Sequence, residues 1–211
     1  VKDNTVVAQF KVLKNTESEF LFETEDIPVY FLAWTTTPWT LPSNTGLAVG
    51  PKVDYVLVKT YNAYTFQKQY VILGKPLLNK WFNPENAELP FDEYEEGQKK
   101  IPFQIIKEFK GEELTDIRYE QLLPYAQPEE GDPFRVIPGD FVTTEDGTGI
   151  VHLAPSFGAD DFRMGKKFNL GALTLVNKQG KFTEEMGEFA GKYVKAQDYP
   201  EYSPKQEKHL T

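Results

Sequence analysis

Hydrophobic and polar positions alternate along much of this chain with a period of two, the repeat of a strand that has one dry face. Thr5 to Val12 alternates in this way, and Phe20 to Phe22 predicts a short strand. Val29 to Trp34 is different: an unbroken apolar run, which reads as a strand buried on both faces. It ends in Thr35, Thr36, Thr37 and Pro38. Pro38 lacks an N–H and pushes Thr37 into extended geometry, so the strand must stop or bend there.

Asn44 to Gly46 reads as a turn, and Leu47 to Val49 as the next strand, closed by Gly50-Pro51. Asp54 to Lys59 and Tyr64 to Leu73 form an expected hairpin around Tyr61 to Ala63. Lys75 to Phe82 predicts a short helix, with Pro76 tolerated in its first turn. Residues 83–100 are acidic, punctuated by prolines and without period, and read as a surface excursion rather than a domain boundary. Ile101 to Phe109, Asp116 to Leu123, Phe134 to Ile137 and Phe141 to Thr144 are further expected strands. Tyr125 to Pro133 is expected as loop. Glu145 to Gly149 reads as a hairpin turn, and Ile150 to Ala154 as the returning strand.

The period changes at Gly158 to Phe168, an expected helix with Asp160 and Asp161 in its first turn and Lys166 and Lys167 in its last. That charge order suits the helix dipole. Leu173 to Val176 is a last strand, and Tyr199 onward a frayed tail, flexible over 203–211. There is no internal repeat. The balance predicts a mainly β fold with short helices, closed or nearly closed into a β-barrel.

Composition narrows the class. The 211 residues are 40% hydrophobic and 14% aromatic, enough for a single domain with a real core and too apolar for disorder. No stretch approaches the ~18 apolar residues a membrane-spanning helix needs, and no signal peptide is expected. The absence of cysteine excludes disulfides and thiolate metal sites and fits a reducing cytoplasm. The chain opens without an initiator methionine, as expected of a piece of something larger. A net charge of −9 argues against broad nucleic-acid binding, which needs a basic footprint.

The candidate chemistry lies in two places. Three threonines at the mouth of a buried strand offer donors, acceptors and methyl groups in a small space, a lining suited to a polar ester beside a small aliphatic group. The same residues would also suit an ordinary strand end. His152 shares a strand face with Ile150 and Ala154, and a half-buried histidine bonded to a carbonyl is its bland reading. Asp160 and Asp161 both fit a helix N-terminus, and periodicity does not choose between them. Other signatures fail. Ala154-Pro-Ser156-Phe-Gly158 has alanine where a nucleophile elbow needs glycine. Gly187 to Lys192 is one residue short of a phosphate-binding loop. Two distant histidines without cysteine argue against zinc.

Trp34-Thr-Thr-Thr-Pro-Trp39-Thr-Leu-Pro-Ser-Asn44 closely resembles the threonine-rich motif of the editing (CP1) domain of isoleucyl-tRNA synthetase. Gly147-Thr-Gly149-Ile-Val-His152-Leu-Ala-Pro155-Ser-Phe-Gly158-Ala-Asp-Asp161 resembles that domain's second signature, in the right order. The valyl and leucyl sister domains typically carry arginine before the proline, where this chain has Thr37. The resemblance runs over most of the chain and is specific in these two blocks.

The resemblance implies one editing domain over 1–211 and a six-stranded barrel with peripheral helices. It implies hydrolysis of mischarged Val-tRNA(Ile), and of valyl-adenylate, by water. In this reading Asp161, the second of the paired acids, holds the substrate's α-ammonium. Thr35, Thr36 and Thr37 hold the terminal adenosine and ester and position the water, His152 borders the side-chain pocket or the ribose, and Trp34 and Asn44 shape the wall. The partners implied are the 3′ end of the tRNA, valyl-adenylate and the rest of a cytoplasmic synthetase. No cofactor is implied in this domain, ATP and metal being used elsewhere in the enzyme. The short adenylation signatures are absent, so the chain is not expected to activate amino acids. The alternatives are a valyl- or leucyl-type or free-standing editing domain, or a β-barrel module that only binds.

Overall fold

A doubly apolar strand needs partners on both edges and cover on both faces. In the computed structural model, which describes residues 5–195, the strand β2 (Val29–Thr35) has both. Strand β1 (Val6–Lys11) pairs with it antiparallel, and β5 (Lys68–Gly74) pairs with its first half in parallel. Val29, Phe31 and Ala33 point into the main core. Leu32, one step out of phase, joins Val56, Val58, Val71 and Leu73 on the opposite face. Each such side chain contributes roughly 1.5–3 kcal/mol of burial, so a one-residue slip of register would be costly.

Two further strands, β4 (Asp54–Tyr61) and β6 (Phe103–Lys110), complete a five-stranded sheet of order β1-β2-β5-β4-β6. A smaller sheet has the order β7-β3-β8, formed by β7 (Arg135–Pro138), β3 (Gly46–Val49) and β8 (Ile150–Leu153). Both sheets mix parallel and antiparallel pairs. Leu47, Val49, Val136 and Ile150 of the smaller sheet pack on Phe31, Leu57 and Ile72 of the larger to make one core.

The expected closed six-stranded barrel is therefore not what forms. The fold is mixed α/β, two open sheets with few short helices. Alternation reports which face of a strand is dry, and that pattern is the same for two facing sheets as for a closed barrel. The strands that would have to close the ladder are short or interrupted. Asp116 to Leu123 makes only single bridges, Tyr119 to Val12 and Arg118 to Arg135, rather than a strand.

Other elements differ in the same physical sense. Glu19–Leu21 is a turn of 3-10 helix instead of a strand, closed by backbone bonds from Leu21 N–H to Ser18 O and Phe22 N–H to Glu19 O. Phe141 to Thr144 forms no strand, and β8 returns beside β3 rather than beside this stretch. Leu173 to Val176 keeps one bridge, from Val176 to Phe182. The helix after Lys75 is a 3-10 turn (Lys75–Leu77) running into α1 (Leu78–Trp81). Residues 83–100 hold short 3-10 turns (Pro84–Glu88 and Phe91–Glu93). Phe91 and Tyr94 stack on Tyr61 of β4. The tail expected over 203–211 lies outside the described residues.

Helix α2 (Ala159–Lys167) begins and ends within a residue of expectation. Met164 and Phe168 pack on Ala48, Ile137, Leu153 and Leu170 at the back of the smaller sheet. Gly165 faces Pro155 so closely that a Cβ there would lie 2.8 Å from the proline ring. The missing side chain lets the helix lie flat on the strand exit and holds its first turn beside β8.

Candidate functional site

The end of β2, the loop before β8, β8 itself and the start of α2 surround one cleft of about 470 Å³. Trp34, Thr35, Thr36, Thr37, His152 and Asp161 all line it. Asn44 does not; it stands behind His152, buried at 2% exposure. Thr40, Phe141, Thr143, Phe157 and the stretch from Asp146 to Val151 also contribute to the lining; most of them lie within the two signature blocks, but the sequence assigned them no role.

The threonines differ in their surroundings. Thr35 is buried, and its Oγ1 accepts the backbone N–H of Thr37 at 3.0 Å and lies 3.3 Å from the Thr37 hydroxyl. This turn folds the chain back after Pro38 and leaves Thr36 and Thr37 exposed at the rim. The Pro38–Ser43 turn of 3-10 helix then carries Thr40 inward, where it is buried.

His152 is held at both ring nitrogens. Nε2 lies 2.9 Å from Thr40 Oγ1, and Nδ1 lies 2.9 Å from the Asn44 amide nitrogen. The Thr40 hydroxyl donates to Thr37 O at 2.9 Å, so its oxygen accepts from His152 Nε2–H. The Asn44 amide donates to Gly46 O at 2.8 Å with one proton and supplies the other to His152 Nδ1. The imidazole is thus neutral, with its proton on Nε2. Burial pushes its pKa down to about 4, since a charged ring would be poorly solvated there. With both nitrogens occupied, the ring presents carbon edges to the cleft and has no lone pair free to take a proton from water.

The two neighbouring acids separate cleanly. Asp160 points to solvent and pairs with Arg163. Asp161 sits half-buried at the cleft, where its Oδ2 accepts the Ala154 N–H at 2.9 Å. Burial raises its pKa; the Ala154 N–H works against that rise, and the Asp160 charge adds to it. Among the described residues no cation pairs with Asp161.

The far wall is a loop fastened at several points. Gly74 N–H donates to Thr148 O and the Trp81 indole N–H to Gly147 O, both at 2.8 Å. The buried Tyr55 hydroxyl donates to Gly149 O at 2.6 Å. Gly147 has φ +72° and lies flat on the Trp34 ring, where a Cβ would come within 3.2 Å of it. Trp34 is thereby clamped as one side of the cleft.

These features, two packed sheets with a hydroxyl-lined strand end opposite a helix-start carboxylate, define a class. No protein-family model matches the chain. Among solved structures, GlLeuRS-CP1 superposes with a TM-score of 0.56 at 20% identity, covering 78% of this chain and 59% of that one. The editing domain of the cytosolic leucyl-tRNA synthetase of P. knowlesi gives 0.56 at 15% identity, covering 77% and 63%. The fold is that of synthetase CP1 editing domains.

Curated relatives narrow this further. Isoleucine–tRNA ligase of Bacteroides fragilis is 56% identical over 193 residues, 92% of this chain, and that of Cytophaga hutchinsonii 52% over 205. Isoleucine–tRNA ligase of Thermoplasma volcanium is 40% identical over 195 residues. This chain belongs to the isoleucine–tRNA ligase family, as a region spanning about a sixth of its relatives' length.

Proposed function

We propose that this chain is an editing domain that hydrolyses valine from mischarged tRNA(Ile), and from valyl-adenylate, while rejecting isoleucine. The observation that carries the reading is Asp161. A half-buried carboxylate with a raised pKa, without a cationic partner among the described residues and facing a cleft, is set up to receive a cation. The α-ammonium of an aminoacyl ester is such a cation, and the bond is charge-assisted.

The need for such a domain is energetic. A missing methylene is worth only about 1–3 kcal/mol, a figure whose standard illustration is this very family and which is taken as given. A second pocket that admits valine and clashes with isoleucine restores fidelity. In this reading Thr35, Thr36 and Thr37 hold the ester and terminal adenosine and orient the water, His152 and Thr40 border the side chain, and Trp34 and Phe157 close the walls. Water is the nucleophile, since the Ser156 hydroxyl is engaged with the Thr174 hydroxyl and no base bonds it among the described residues. The occupied nitrogens of His152 favour recognition over base catalysis, and positioning and oriented donors supply the rate. The domain takes the 3′ end of the tRNA while the rest of a cytoplasmic synthetase holds the tRNA body and uses ATP and metal. The test is deacylation of valyl- against isoleucyl-tRNA(Ile).

A further inference from the structure

Behind the cleft, a buried side chain that is not part of its lining closes the hydrogen-bond chain that orients His152. The Tyr119 hydroxyl donates to Asn44 Oδ1 at 2.7 Å. Tyr119 is 1% exposed. Its ring is gripped edge-on by Phe10 and Phe134. Its backbone N–H bonds Phe134 O, and it bridges to Val12 of the chain leaving β1. The position of the hydroxyl is therefore set by the core, independently of anything in the cleft.

The shortest contacts form one series, although Asn44 Nδ2 also lies 3.4 Å from Leu153 O. Tyr119 O–H goes to Asn44 Oδ1, Asn44 Nδ2–H to His152 Nδ1, His152 Nε2–H to Thr40 Oγ1, and Thr40 O–H to Thr37 O. The direction is set by the Gly46 carbonyl. Turning the Asn44 amide over would set its oxygen against Gly46 O. If Nδ1 rather than Nε2 carried the imidazole proton, two donors would meet at Asn44. Both faults leave buried polar groups unpaired, the costly outcome.

We propose that Tyr119 is a positioning residue for amino-acid selection: its hydroxyl fixes the Asn44 amide, which fixes the tautomer and plane of His152 as a rigid border of the side-chain pocket. The proposal rests on the editing function proposed above. Selection by size requires a wall that does not yield, because a ring free to turn by a fraction of an ångström would admit one more methylene. The rigidity here comes from the core side of the domain.

The test is Tyr119→Phe in this chain, which removes one oxygen and keeps the ring packing. Two readouts are taken. The first is kcat/KM on valyl- and isoleucyl-tRNA(Ile). The valine-to-isoleucine ratio is expected to fall about tenfold, through a rise for isoleucine, whereas general loss of structure would lower both. The second is the ring 15N shifts of His152. In the unsubstituted chain these should show a protonated Nε2 and a pyridine-like Nδ1, and in Tyr119→Phe a mixture of tautomers. An unchanged ratio with an unchanged tautomer overturns the proposal. So does an Nδ1–H tautomer in the unsubstituted chain, a result that needs no folded variant. If the unsubstituted chain hydrolyses neither ester, the editing reading fails on its own. The 15N readout then decides whether Tyr119 governs His152: a mixture of tautomers supports it and an unchanged spectrum refutes it.

Discussion

The Asn44 amide nitrogen stands 2.9 Å from His152 Nδ1, and this contact allows only a neutral imidazole. Protonation would place an N–H against an N–H between two buried side chains. His152 has its pKa lowered from 6.5 to about 4, by burial. The unfolded chain therefore binds a proton that the folded chain refuses between those values. Stability conferred at neutral pH is lost as the pH falls from about 6.5 toward 4, by up to roughly 3 kcal/mol. Urea titrations at stepped pH should show this fall above pH 4.5, before carboxylates held low by lysine or arginine, such as Glu25 and Asp132, are protonated. His152→Gln should flatten the slope in that window.

Asp161 titrates in the opposite sense. Its folded pKa is raised, first by burial, so its ionised form is a burden on the fold at neutral pH. The relief from protonation is present below the unfolded pKa and lost as the pH rises through the folded one. Asp161→Asn should therefore fold at least as stably as the parent in thermal melts. It should lose deacylation of valyl-tRNA by about 10–100-fold, the worth of one charge-assisted bond. Asp160→Asn breaks a solvent-exposed pair with Arg163 and removes a charge that adds to the rise in the Asp161 pKa, and should change the rate far less than Asp161→Asn.

Gly147→Ala tests the clamp on Trp34. A side chain at φ +72° is strained by about 1–2 kcal/mol, and its Cβ would press on the indole at 3.2 Å. A lowered melting temperature together with changed Trp34 fluorescence and slower deacylation is expected. Normal melting and fluorescence would show that the loop yields instead.

The acidic charge makes a fourth prediction. At a net −9 the chain offers little counterion release, so its affinity for whole tRNA should be weaker than about 10 µM at physiological salt. A salt titration of binding with a shallow slope is expected. A steep slope would point to a basic tRNA-binding surface that the composition does not suggest.

Much of this site was legible in sequence because its parts follow local rules. Pro38 fixes where β2 stops, the Asp-first, Lys-last order fixes α2, and the run Val29 to Trp34 announces a strand with two dry faces. Thr40 and Tyr119 were not legible. Thr40 is carried inward by a turn of 3-10 helix, which hydrophobic periodicity does not register. Tyr119 meets Asn44 across 75 residues, from a segment that alternates like a strand yet forms only single bridges. The choice between Asp160 and Asp161 needed the tertiary arrangement or a resemblance, since both satisfy the helix start equally. The closed barrel failed for a related reason: pairing of edge strands is long-range, and face alternation carries no record of it.

The most direct measurement is the rate at which this chain deacylates valyl-tRNA(Ile) and isoleucyl-tRNA(Ile), compared side by side. Rapid release of valine with isoleucine left attached is the predicted result. Equal rates for both esters, or release of neither by a folded chain, would contradict the account.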